Sequence, residues 1–223
     1  MNRFGSFFAT LILFTLASCG GAPYYTAAPV DAAVVDAETN LPIEGAVVVA
    51  NWQLVAAGLD GYRNKGQLEV KETSTDKTGR FHFDGFTKLN LMFYELRSQD
   101  PQVVIFKPGY QYARVNNSYG SESPGAYRQA AVNGRVVQLR KVTAVVTPQR
   151  EIYYMGLSTT MEPIAEDCEW KKIPRMIRAM DAEKFRLSAI SPKAVVWLIS
   201  IEDLMSYSRK CGSAVEYFRS HQE

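Results

Sequence analysis

Histidine and cysteine are scarce in this chain, with two and three copies among 223 residues. That supply excludes a His-rich metal cage and a zinc-ribbon array. It also leaves a Ser-His-Asp or Cys-His pair little to work with, since His82 falls on an outward strand position and His221 near the chain end. Charge of one sign is lacking too. The formal net charge is +2, so no basic field points to nucleic acid. No G-x-S-x-G, H-E-x-x-H or P-loop occurs. No apolar run reaches the roughly 20 residues of a membrane-spanning helix. What remains, 47% apolar and 22% charged, is the composition of an ordinary folded protein.

The start of the chain sets the compartment. Met1-Asn2-Arg3 is a short n-region with one positive charge, and residues 7–17 (FFATLILFTLA) are apolar. Small residues Ala17 and Ser18 follow, as a secretory signal requires. Leu16-Ala17-Ser18-Cys19 resembles the lipobox of bacterial lipoproteins. The resemblance implies that residues 1–18 are a signal peptide and that Cys19 is diacylglycerylated, freed by cleavage and acylated on its new amine. Each buried CH₂ adds about 0.8 kcal/mol, so two or three acyl chains hold a protein firmly on a membrane. Gly20 and Gly21 stand where an enteric-type inner-membrane retention signal has Asp. The resemblance therefore favours the outer membrane, facing the periplasm. Residues 19–30, small, Pro-containing and uncharged, read as a flexible tether.

From 31 to 142 the apolar period is two. Strands are expected at 32–35, 46–54, 67–74, 80–86, 103–106, 110–115 and 135–142. In the fourth, Phe81 and Phe83 point inward, Arg80, His82 and Asp84 outward. Turn signals separate them at Asn40-Leu41-Pro42, Asp60-Gly61, 76–79 and Pro108-Gly109. Short alternating strands at this spacing predict an antiparallel β-sandwich. Three segments carry a resemblance: 35–48 (VDAETNLPIEGAVV), 75–83 (TDKTGRFHF) and 104–110 (VIFKPGY). Together they resemble the carboxypeptidase regulatory-like domain, a transthyretin-like sandwich, over about half of the chain. Asn40 stands where that pattern usually has Gly, and Asn also tolerates a positive-φ turn. Pro42 presets φ entering the next strand, and Asp76 to Gly79 fits a hairpin with Gly at positive φ. A calcium site on Asp76 and Asp84 is disfavoured, because calcium takes six to eight oxygens.

Two stretches exceed ordinary loops. Residues 116–134 read as either a binding surface or a disordered excursion. Asn116-Asn117-Ser118 fits the N-glycosylation pattern, a chance match in a bacterial lipoprotein. In the insertion 88–101, Leu91, Met92, Phe93 and Tyr94 are expected to pack on a helical lobe.

From 143 to 223 the period becomes helical, with candidates at 149–157, 166–187 and 200–220, punctuated by Pro163 and Pro192. Ile173, Met176, Ile177 and Met180 make one apolar stripe; Leu204, Tyr207, Cys211, Val215 and Phe218 make a second. Pro174 suits a first helical turn, and Cys211-Gly212 threatens to split the last helix. Once Cys19 is acylated, Cys168 and Cys211 remain. An oxidising periplasm favours their disulfide; the rival is a metal site with His221, short of the four ligands that structural zinc takes.

The fold class expected is α+β: an N-terminal antiparallel β-sandwich, transthyretin- or Ig-like, over 31–142, then an α-helical lobe over 143–223. No catalytic, cofactor or metal site is read. The expected function is a non-enzymatic, membrane-anchored envelope lipoprotein that binds a protein or a polysaccharide. The alternatives are a secretion-system anchoring lipoprotein and a carboxylate-based hydrolase of cell-wall polymer. Nucleic acid is not expected as a partner.

Overall fold

The computed structural model describes residues 21–117, 125–142, 148–189, 196–204 and 210–221. The expected signal peptide, Cys19, residues 118–124, Pro192 and Tyr207 lie outside them. The described strands are β1 (Tyr24–Ala27), β2 (Val30–Asp36), β3 (Val47–Gly58), β4 (Gly61–Ser74), β5 (Arg80–Phe83), β6 (Phe86–Leu89), β7 (Glu95–Leu96), β8 (Gln102–Phe106), β9 (Ala113–Val115), β10 (Tyr127–Arg128) and β11 (Val136–Leu139). The helices are α1 (Pro148–Glu166), a 3-10 turn Glu169–Lys172, α2 (Pro174–Ser188) and α3 (Ala214–Ser220). The described chain is thus mostly β-sheet, with its helices after the strands.

The sheets run β10-β1-β6, β11-β2-β5 and β4-β3-β8-β9, with β7 also on β3. Most pairs are antiparallel. Two, β1 with β10 and β2 with β11, are parallel, against the all-antiparallel expectation. Parallel partners need a long return connection, and β10 and β11 come back to β1 and β2 from about a hundred residues further along.

The stretch 80–86, expected as one strand, breaks at Asp84-Gly85. A Cβ on Gly85 would stand 2.7 Å from the Ala27 carbonyl oxygen and 3.0 Å from Pro29 Cδ. Pro29 likewise interrupts β1 and β2. Both chains therefore change sheet at one corner: β5 pairs with β2, and β6 with β1. The expected tether is corrected at the same time, because its residues Tyr24–Ala27 are β1, hydrogen-bonded on both sides. Tyr25 and Ala27 are buried there.

Strand β3 explains its own sequence. Its run Val47-Val48-Val49-Ala50 has no polar face because both faces are covered. Val47 and Val49 join Val70, Val104 and Phe106 in a cluster with the helices. Val48, Ala50 and Trp52 join Val103, Ile105, Phe81, Phe83 and Leu139 in a second cluster among the three sheets. Side chains alternate along a strand, so one sheet serves two cores: a sandwich-like β layer below and a helical layer above.

The helical stripe is buried as expected: Ile173, Met176, Ile177 and Met180 are fully inside. Burial of such a side chain contributes about 1.5–3 kcal/mol. Pro174 opens α2. Helix α1 runs past 157, where its end was expected, and through Pro163 to Glu166. Its stripe of Tyr154, Leu157, Met161 and Ile164 stays buried past the proline, and that burial holds the last turn. Within the last candidate, residues 205–209 lie outside the described ones, and α3 starts after Gly212 (φ +80°) with the Ser213 hydroxyl accepting from Glu216 N–H. Ala214, not Val215, takes the buried place before Phe218.

Candidate functional site

The three sequence motifs meet. Asp36 of the first closes a turn, with Oδ1 accepting the N–H groups of Glu38 and Thr39 at 2.9 and 3.0 Å. Its Oδ2 accepts the Tyr110 hydroxyl of the third motif at 3.1 Å and faces Lys141 at 3.3 Å. The Thr39 N–H, then the Glu38 N–H, Lys141 and Tyr110, hold the Asp36 carboxyl well below the usual range against its desolvation. Asn40 adopts φ +57°, the left-handed turn that its place in the motif required. In the second motif, Thr75 Oγ1 donates to the Ile43 carbonyl at 2.6 Å and accepts from Ala46 N–H at 2.8 Å. Asp76 Oδ1 accepts from Thr78 N–H, Thr78 Oγ1 and Arg80 N–H. Gly79 sits at φ +74°, where a Cβ would stand 2.5 Å from the Val34 carbonyl oxygen. The polar side chains of the motifs thus hold turns and join them; Asp76 faces donors, not a cation cavity.

His82 lies outward as expected. Nδ1 is 3.0 Å from Asp31 and Nε2 3.1 Å from Asp84. The hydrogen bond to Asp31, then that to Asp84, raises its proton affinity. The arrangement is an exposed ion-pair triplet. Among the described residues no group of three His, Cys, Asp or Glu side chains is placed to hold a metal.

Three carboxylates take roles not expected from the sequence: Asp100 and Glu183, which are buried, and Glu72, which is half-buried. Asp100 Oδ2 accepts Gln53 N–H at 2.5 Å, and burial pushes its carboxyl up to about 7. It belongs to the closure of the 116–134 loop. Asn117 Nδ2 donates to the carbonyls of Asp100 and Gln129, its Oδ1 accepts Ala131 N–H, and Arg128 donates to the Leu96 carbonyl. The two ends of that loop are therefore pinned. Glu72, on β4, accepts Arg175 N–H at 3.0 Å and Met176 N–H at 2.7 Å, capping α2 from across the interface. Burial pushes its carboxyl up to about 7 against those donors.

Glu183 is fully buried on α2. It accepts the Tyr154 hydroxyl at 2.6 Å, both ends of the Arg186 fork at 2.8 and 2.7 Å, and Gly109 N–H at 3.0 Å. These partners outweigh its desolvation and lower its proton affinity. One carboxylate thus ties α1 and α2 to the Lys107-Pro108-Gly109-Tyr110 turn. The signal was present: 183 continues the spacing of Met176, Met180 and Leu187, so a Glu there sits on an apolar stripe.

The disulfide joins Cys168 to Cys211, with Cα atoms 5.3 Å apart. Beside it Trp170 stacks on Phe218 and meets Tyr217 edge-on. The His221 metal reading is thereby removed, since both sulfurs are used. A groove of about 390 Å³ lies between α1 and the 196–204 segment, lined by Met155, Ser158, Glu162, Trp197, Leu198 and Asp203.

The insertion 88–101 is not where the sequence placed it. Leu91, Met92 and Phe93 do not pack on the helical lobe; all three are exposed. They stand beside the start of the described chain, where Gly21 N–H donates to the Phe93 carbonyl at 2.7 Å.

No family model and no curated protein matches the chain. Solved structures give partial overlaps. A streptococcal ancillary pilin is 17% identical, with TM-score 0.24 over 52% of this chain and 29% of its own. The 3-chlorocatechol 1,2-dioxygenase of Rhodococcus opacus 1CP is 16% identical, with TM-score 0.31 over 56% of this chain and 62% of its own. The C-terminal domain of the shaft pilin spaA from Lactobacillus rhamnosus GG is 14% identical, with TM-score 0.26 over 54% of this chain and all of its own (100%). The functional reading rests on the chain's own residues.

Proposed function

We infer that this chain is a membrane-anchored envelope lipoprotein, acting without catalysis as a binding or structural module for a protein or polysaccharide partner. The observation that carries the reading is the junction of lipobox and domain. Gly21, two residues after Cys19, is already hydrogen-bonded into the fold. A Cβ there would stand 1.9 Å from the Tyr94 carbonyl oxygen, so glycine is demanded. Acyl chains on Cys19 would hold a domain that begins at once. The placement favoured by Gly20 and Gly21 is the outer membrane, facing the periplasm.

The β half is read as a transthyretin-like sandwich of the carboxypeptidase regulatory-like type. Its support is the meeting of the motifs: Asp36 with Tyr110, and Thr75 with Ile43 and Ala46. Such side chains serve cohesion, which suits a module that presents a surface.

The test is Cys19→Ala with labelled palmitate and membrane fractionation. The expected result is loss of label and of membrane retention. Unchanged retention overturns the anchor. In vivo crosslinking of the native chain, with mass spectrometry of what it captures, then separates the partners. A dominant protein means an assembly role; retention on glycan alone means a carbohydrate-binding one.

A further inference from the structure

We propose that the loop 89–93 is a membrane-contact element that seats its apolar side chains in the lipid bilayer beside the anchor. The proposal rests on the lipoprotein reading and adds the face that meets the membrane. Leu89, Leu91, Met92 and Phe93 are 73%, 78%, 67% and 56% exposed, and Tyr24 next to them is 50% exposed. Five large apolar side chains turned outward together is costly in water and calls for an occupant.

The occupant follows from where the chain leads. Gly21 N–H is bonded to the Phe93 carbonyl and Asn90 N–H to the Pro23 carbonyl at 2.8 Å. Cys19 lies two residues before Gly21, and two residues span at most about 7 Å. Acyl chains on Cys19 therefore emerge within a side chain's reach of this loop, and the surface they enter is lipid. A protein partner would have to occupy the same few ångströms.

The loop is built rather than slack. Asn90, almost wholly buried, donates from Nδ2 to the Ala22 and Tyr94 carbonyls at 2.8 and 2.7 Å, and its Oδ1 accepts Tyr94 N–H at 3.2 Å. Phe93 N–H closes back on the Asn90 carbonyl. Phe93 itself is held at φ +52°, a left-handed conformation that a bulky side chain rarely takes. A polar residue is thus spent inside while its apolar neighbours are turned out. The ammonium of Lys65 lies 5.7 Å from the Tyr94 ring, placing a cation where anionic headgroups would lie.

The experiment uses the acylated full chain in vesicles of phosphatidylethanolamine and phosphatidylglycerol. Met92→Trp is made in a Trp197→Phe background, leaving only the buried Trp52 and Trp170 as other indoles. Lipids brominated high on the acyl chain act as the quencher. Co-sedimentation is measured on the same sample. If the loop reaches the depth of interfacial segments, about 5–10 Å, the new indole loses roughly twofold or more of its emission. Val136→Trp, exposed on β11 opposite Ala33, is expected to keep its emission. Leu91→Trp repeats the measurement should the first variant fold poorly. A chain that co-sediments with position 92 unquenched overturns the proposal, leaves the anchor intact and assigns this face to a protein partner. Equal quenching at 92 and 136 overturns it too. A chain that does not co-sediment overturns the anchor reading and this inference with it.

Discussion

The Asp36 carboxylate accepts the Tyr110 hydroxyl at 3.1 Å, joining two segments 74 residues apart. The bond closes the first motif on the third, and Lys141 approaches the same oxygen from a third segment.

Asp36→Asn is expected to lower the melting temperature more than Tyr110→Phe, because the amide weakens every bond the carboxylate makes while the phenyl removes one. The loss has a definite pH dependence. The Thr39 N–H and its companions lower the folded-state proton affinity below the ordinary 3.8, so the contribution is present above about that pH and is lost as pH falls beneath it. Urea midpoints of wild type and Asp36→Asn should differ most at pH 6 and begin to narrow only below about 3.8. A gap that stays constant there counts against the assignment.

Reduction of the disulfide, or Cys168→Ser, should destabilise the chain by about 4 kcal/mol on the chain-entropy account. Thermal melts with and without reductant give the comparison, and the wild type alone should change mobility on a reducing gel.

Glu183→Ala strips the acceptor from Tyr154, Arg186 and Gly109 at once. Hydrogen bonds to a charged group contribute about 1.5–3 kcal/mol each, and Arg186, 40% exposed, keeps access to water. Chemical denaturation measures the loss, and one under about 1 kcal/mol would show that solvent replaces the carboxylate.

Glu72→Gln carries the opposite pH signature from Asp36. Burial raises the Glu72 carboxyl from 4.5 to about 7. The stability it gives is full below 4.5 and is lost as pH rises through 7. The glutamine variant should therefore match wild type near pH 5 and exceed it near pH 8. A variant weaker at pH 8 would mean that the ionised carboxylate, capping α2, is the stabilising form.

Much of this was legible in the sequence. The alternation of 80–83 placed Phe81 and Phe83 inside and His82 outside, and a tolerance for positive φ accounted for Asn40. The disulfide followed from the oxidising compartment that the lipobox resemblance implies. What escaped depended on contacts distant in sequence. Five residues between Pro23 and Pro29 are too few to show a period, so β1 reads locally as a tether. The 91–94 run reads as core-seeking because its residues are apolar; nothing local says that it lies beside Gly21. Glu72 and Glu183 each resemble a solvated charge, and only Glu183, on an apolar stripe, carried a warning.

The shared sheet has a consequence for how the chain can be divided. Val47 and Val49 belong to the helical core, Val48 and Ala50 to the other. Position 143 is thus a seam in the sequence and not in the energy. A fragment ending there would bare Val47, Val49, Val70, Val104 and Phe106 to water, trading a folded half for a sticky one. The two lobes should melt together, as a single cooperative unit.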